Sequence, residues 1–289
     1  MGVIMEIINM TSEDIGNLKK LSLDFFNAKG DLLLFRYNNV LRLLKTLDDF
    51  TEDDFQKHFN AVSLLVKYRD YLPSEFVIPD FLVRVDNIIK FFAINYVYGN
   101  NLSVVLKDDN VSLERKKYYL KRIGTILRQM ENIRKNTELK NFYLADIHED
   151  NFIVDKAGVL RTIDLDGGKF SEDNNPVVKY LSPVSLFAKC NTSKYKIDMS
   201  NPYFASYIVD ENTDIYCYSI VILNYLYNGK INGVSMNEFY DFLTKMSDIG
   251  IDKELIECFE RLFDDRDNIN PCDYIDTLTP GQIKKLRIK

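Results

Sequence analysis

The sequence predicts an α+β fold in two parts: a small antiparallel β-sheet with one helix over residues 1–98, and a larger, mainly helical part over 99–289. Three observations predict it. Gly30 is the only glycine between positions 17 and 98, and no proline lies between Pro79 and Pro176, so the chain's punctuation changes near Gly99. Before that point, short β-branched and aromatic runs are separated by two-residue Asn or Asp turns. After it, apolar residues recur at helical spacing.

The elements follow in order. Runs 31–37 and 40–44 flank Asn38-Asn39, a dipeptide that tolerates the positive φ of a hairpin turn. Segment 51–71 opens on Thr51 and the acids Glu52, Asp53 and Asp54, a helix start, and sets Phe55, Phe59, Val62 and Val66 at helical spacing. Runs 81–85 and 88–96 around Asp86-Asn87 complete a sheet of four or five strands. Beyond Gly99, Leu113, Leu120, Ile123, Leu127, Met130 and Ile133 define one face of a helix over 111–135. Segment 212–228 is apolar all round and reads as a buried helix, and 235–246 and 253–263 are amphipathic helices.

Composition excludes several classes. The 289 residues are 46% hydrophobic and 28% charged, typical of a globular chain. With 37 Lys and Arg against 43 Asp and Glu, the formal net charge of -6 argues against general nucleic-acid binding. The one basic cluster, Lys284, Lys285, Arg287 and Lys289, reads as a solvated end. Cys190, Cys217, Cys258 and Cys272 have no paired spacing, and with only His58 and His148 to join them a zinc site is not expected. The start lacks a signal-peptide pattern, so a cytoplasmic protein with free thiols is expected. The longest apolar stretch, 219–227, falls well short of the roughly 20 residues a bilayer span needs.

One constellation carries chemistry. Asp146-Ile-His148-Glu-Asp-Asn151 precedes a short apolar run, a turn at Gly158, a second run, and Asp164-Leu-Asp166-Gly167. A hairpin there would bring Asn151 and Asp164 close enough for two oxygen ligands to share one hard cation, such as Mg²⁺, which keeps its other positions for water and phosphate. A carboxylate beside them, Asp146, could orient or deprotonate a hydroxyl nucleophile. This is minimal equipment for phosphoryl transfer from a nucleotide.

The D-x-H-x-x-N segment at 146–151, the aspartate thirteen residues beyond its asparagine, and the downstream Thr213-Asp214-Ile-Tyr-Cys-Tyr-Ser-Ile220 together resemble the protein kinase-like superfamily. The likeness is to atypical bacterial or viral-type protein kinases, with some features of aminoglycoside phosphotransferases. It implies a bilobal protein kinase-like fold and a catalytic base at Asp146. It also implies metal ligands at Asn151 and Asp164, a hinge at Tyr96-Val-Tyr98 that meets the adenine of ATP, and support of the catalytic loop by Asp214. His148 stands where protein kinases commonly carry Lys, and the resemblance places it near the phosphates. The third strand offers Arg42 or Lys45 as the phosphate-binding cation.

The departures bear on function. Ala145 precedes Asp146 where an arginine would anchor an activating phosphate, and the only candidate for a glycine-rich phosphate loop, Asn27-Ala-Lys-Gly30, has one glycine. The helix at 51–71 carries Gln56, His58 and Asn60 after its first-turn acids, with no glutamate to pair with a strand cation. Residues 165–213, with Ser171, Tyr180, Ser182-Pro183, Thr192, Ser193 and Tyr195, would form the segment that receives a substrate. The expected function is ATP- and Mg²⁺-dependent transfer to Ser or Thr hydroxyls of a protein substrate. A small-molecule phosphotransferase of the aminoglycoside or choline type and a pseudokinase scaffold are the alternatives.

Overall fold

The computed structural model describes residues 5–21, 32–47, 52–171, 194, 197–198, 206–207 and 209–287. The candidate glycine turn at 27–30, Thr51, Cys190 and, in the expected substrate segment, Tyr180, Ser182, Pro183, Thr192, Ser193 and Tyr195 lie outside the described residues. The chain forms two compact units, Met1–Gly99 with Asp155–Gly167, and Asn100–Val154 with Gly168–Lys289. Segment Asp155–Gly167, read from sequence with the C-terminal part, thus groups with the first unit. The architecture is α+β, with one mixed six-stranded sheet and a second sheet of three short strands.

In the first unit the sheet is built from β1 (Glu6–Met10), β2 (Lys19–Lys20), β3 (Leu32–Tyr37), β4 (Val40–Thr46), β5 (Phe81–Val85) and β6 (Ile88–Asn95), in the order β1-β5-β6-β4-β3-β2. The two expected hairpin turns are present. Asn38 and Asn39 have φ of 48° and 62°, and Asp86 and Asn87 of 49° and 72°, so both central residues of each loop take the left-handed conformation that matches strand twist. The expected antiparallel sheet of four or five strands with one helix is corrected in three places, the first being that it has six strands. β1 runs parallel to β5, from Glu6↔Phe81 to Met10↔Val85, and α1 (Ser12–Gly16), a single turn capped by Thr11, precedes α2 (Glu52–Lys67). A short edge strand whose partner lies far along the chain leaves no turn signal in the sequence.

Strand alternation divides the core of this unit. Leu44 and Leu33 pack with Phe81, Val83 and Phe91 on one face. Leu43 lies on the other with Leu82, Phe92, Ile94, and Val62, Phe55 and Phe59 of α2. Arg42 and Lys45, three residues apart on β4, therefore point to opposite faces.

The second unit contains β7 (Gly99–Asn101), which pairs with β8 (Phe152–Asp155), and α3 (Leu102–Lys107) and α4 (Leu113–Asn136). Beyond β9 (Leu160–Thr162) of the first unit come the short strands β10 (Ile197–Asp198) and β11 (Ser206–Tyr207), then α5 (Glu211–Tyr227), α6 (Met236–Asp248), α7 (Lys253–Glu260) and α8 (Pro280–Arg287). Asp210 caps α5 through the Thr213 N–H, and Asn228 ends it with φ of 54°. Buried almost all round, α5 is the core of the unit. Gly124 lets α4 approach it: a Cβ there would stand 2.9 Å from the Tyr218 ring and 2.4 Å from Cβ of Cys272. The Tyr218 hydroxyl donates to the Leu120 carbonyl at 2.7 Å, satisfying a fully buried polar group. Cys217, Cys258 and Cys272 are free and buried. No helix among the described residues is long and apolar enough to cross a membrane.

Candidate functional site

In the second unit, the approach to Asp146 is a strained turn held from below. The Asp146 N–H donates to the Leu144 carbonyl at 2.7 Å, and the residue between them, Ala145, has φ of 62°. A three-residue turn with positive central φ is the rare and strained form, and an alanine there gains nothing from a glycine's freedom. The strain is held by Asp214 in the first turn of α5. Its buried carboxylate accepts the Ala145 N–H at 2.8 Å and the Leu144 N–H at 3.1 Å, and the Cys217 thiol lies 3.8 Å from the Ala145 carbonyl. Burial, opposed by those N–H groups and by Arg134, pushes the Asp214 carboxyl up to about 7.

Beyond the turn, the loop is tied to Asp146 itself. His148 is buried; its Nδ1 accepts the Asp150 N–H at 3.3 Å, which leaves Nε2 to carry the ring proton of the neutral form, 3.3 Å from Asp146 Oδ2. The ring thus orients the carboxylate. Asn151 donates from Nδ2 to the Asp146 carbonyl at 2.9 Å, so its Oδ1 is the atom left to accept a cation. Ser103 donates to Asp150 Oδ1 at 2.7 Å, and Asn224 of α5 to Glu149 Oε1 at 3.0 Å, fixing the loop to two helices.

The first unit holds a second group of charges. Lys45, on the face of β4 turned to α2, pairs with Asp164 and with Asp166, the latter at 2.7 Å. Asp164 has φ of 62°, another left-handed residue that is not glycine. From α2, His58 places Nδ1 3.4 Å from Asp166 Oδ2. Burial disfavours the Lys45 charge, but the carboxylates of Asp164 and Asp166 outweigh it and hold its pKa above the usual lysine value. Burial likewise works against ionised Asp166, and Lys45 and His58 reverse that, holding its carboxyl well below the usual range.

Of the two strand cations the sequence offers, only Lys45 belongs to this group. Arg42 faces away from this group and pairs with Asp80, Nε to Oδ2, at 2.8 Å. Tyr96 and Tyr98 follow β6, with the Tyr96 N–H donating to the Leu41 carbonyl at 3.1 Å and the two rings meeting edge to face at 4.7 Å. The Tyr98 carbonyl accepts the Lys156 N–H at 3.0 Å, whose ammonium lies over the Tyr98 ring. In the hairpin before β9, Asp155 accepts the N–H groups of Ala157 and Val159 at 2.9 Å each, and Gly158 takes φ of 76°.

The structure therefore brings together Asp146, His148 and Asn151 in one unit, and Lys45 and Asp164 in the other. Sequence reasoning missed the partnership of Asp166 and His58 with Lys45. The signal was present, because His58 lies on the α2 face that carries Phe55, Phe59 and Val62, where a polar side chain calls for a partner. Among the described residues no group of three or more His, Cys, Asp or Glu side chains forms a metal cage. Asn151 lies in the second unit and Asp164 in the first, and each carries a hard oxygen of the kind Mg²⁺ takes. Comparison with protein-family models and with curated proteins finds no match.

Proposed function

We propose that this chain is a bilobal, kinase-like phosphotransferase that uses ATP and Mg²⁺ to phosphorylate Ser or Thr hydroxyls of a protein. The observation that carries the reading is the strained Ala145 turn, held by two N–H bonds to buried Asp214, directly before Asp146. Strain maintained by a buried carboxylate has no packing rationale and is commonly kept where a side chain must be aimed. Asp146 is the base that accepts the hydroxyl proton, and His148 is its positioning residue rather than a phosphate ligand. Lys45, rather than Arg42, is the cation for the nucleotide phosphates.

Asn151 and Asp164 would hold Mg²⁺, which when bound neutralises charge on the phosphates. Transfer requires Lys45 to exchange one of its two carboxylate partners for a phosphate oxygen, leaving Asp164 to the cation. Asp166, more enclosed than Asp164 and also beside His58, is the partner Lys45 keeps. A second reading, a small-molecule phosphotransferase, is favoured by the second acid Asp166 and by His148 in place of a lysine.

Labelled γ-phosphate from Mg-ATP, offered with the protein itself, a generic basic protein, an aminoglycoside and choline, tests both. Label on protein that is absent with Asp146→Asn supports the first reading, and label on a small acceptor alone supports the second. Nucleotide binding without transfer to any acceptor would leave the pseudokinase scaffold.

A further inference from the structure

The basic C-terminal cluster is only partly a solvated end. Lys284 of α8 is exposed, but Arg287, one turn on, lies over the Tyr225 ring at 5.0 Å and donates from Nη2 to the Tyr225 carbonyl at 3.2 Å. Its Nε is buried and has no hydrogen-bond partner. Both residues line a cavity of about 430 Å³ with Lys116 of α4 and an apolar wall of Leu113, Tyr225, Pro280 and Ile283. All belong to the second unit.

Lys116 is the informative residue. It is 4% exposed, and its ammonium has no hydrogen-bond or ion-pair partner among the described residues, only the edge of a contact with the Tyr225 ring at 5.9 Å. Lysine is rarely buried unless paired, and here a second cation, Arg287, stands on the same cavity wall. Burial and then Arg287 lower its pKa, only partly offset by Asp109 and Asp108. The contrast with its neighbour is direct: buried Lys117 pairs with Glu114 and donates to the carbonyls of Asp276 and Leu278. Leu113, also in the lining, is the first residue of the long helix α4, whose dipole favours negative charge at this end.

We propose that this cavity is a binding site for a small phosphate monoester, its dianion held by Lys116, Arg287 and Lys284 and its apolar body lying on Leu113, Tyr225, Pro280 and Ile283. The monoester is favoured over a bare oxyanion because the lining combines three cationic side chains with the apolar surfaces of Leu113, Tyr225, Pro280 and Ile283. The site shares no residue with those proposed for the nucleotide and does not depend on the proposed activity.

Calorimetric titration with phenyl phosphate, inorganic phosphate and phenol tests it. Saturable binding is expected for phenyl phosphate, weaker binding for inorganic phosphate, and none for phenol. Lys116→Met should weaken phenyl phosphate binding at least about tenfold, the loss of one charge-assisted hydrogen bond. The same variant should melt no lower than wild type without ligand, because it removes a charge that has no ion-pair partner among the described residues. Arg287→Gln, which can still donate to Tyr225, should weaken binding similarly, whereas Lys45→Met should leave it intact. Absence of saturable binding, wild-type affinity in either cavity variant, or loss of binding in Lys45→Met would overturn the assignment.

Discussion

The Asp146 loop and the Lys45 group are held by different forces. In the second unit a single buried carboxylate, Asp214, grips two backbone N–H groups, and the loop beyond is fixed by His148, Ser103 and Asn224. In the first unit Lys45, Asp164, Asp166 and His58 are side chains balancing one another's charge. A backbone clamp fixes position and tolerates no loss of an acceptor atom. A charge balance can exchange one partner for another, which is what the proposed role of Lys45 asks of it.

The largest expected effect falls on the clamp. Asp214→Ala strands two buried N–H groups beside a strained turn and should cost about 4 kcal/mol in urea unfolding, with loss of any transfer activity. Asp214→Asn keeps one acceptor and should lie between; equal stability of all three proteins would remove the clamp from the account. Next comes the charge balance. Lys45→Met leaves Asp166 buried beside only His58 and should cost about 3 kcal/mol near neutral pH, shrinking in acid as the carboxylate protonates. A cost independent of pH would mean that Lys45 acts through its contact with the Phe92 ring, over which its Nζ lies at 5.3 Å.

The two regions also differ in the sign of their pH dependence. Asp166 has a depressed carboxyl, so its stabilisation is present above the ordinary aspartate value of 3.8 and is lost as pH falls below it. Asp214 is raised to about 7, so the folded state binds its proton more tightly than the unfolded chain between 3.8 and that value. Its contribution therefore falls as pH rises through this window. Comparing wild type with Asp214→Asn from pH 4 to 7, the gap in unfolding free energy should drift against wild type with rising pH, and a flat difference would contradict the burial effect. A smaller effect serves as a control for both regions: Gly124→Ala should cost about 2 kcal/mol by pressing α4 against Tyr218 and Cys272, without altering either pH dependence.

Much of this was legible in the sequence where the physics is local. The Asn38-Asn39 and Asp86-Asn87 turns follow from residue type, and α2, α4 and α5 from apolar spacing. Non-local facts were not legible. The parallel pairing of β1 with β5 leaves no local trace, and Arg42 and Lys45 could be separated only by knowing which face of β4 meets α2. His148 reads in sequence as a phosphate contact, and only the hydrogen bond at its Nδ1 shows that its other nitrogen is turned to Asp146. The positive φ of Ala145 is invisible in sequence because alanine does not advertise it.

The most direct measurement is the Mg²⁺ dependence of ATP binding, by calorimetry, in wild type, Asn151→Ala, Asp164→Ala and the double variant. If the two oxygens serve one cation, each single change should lower the apparent Mg²⁺ affinity at least about tenfold, and the double variant should lose little more than the worse single one. Nucleotide binding that ignores Mg²⁺, or effects of the two changes that simply add, would contradict the proposal that Asn151 and Asp164 serve one cation, and with it the proposal that this chain is a phosphotransferase.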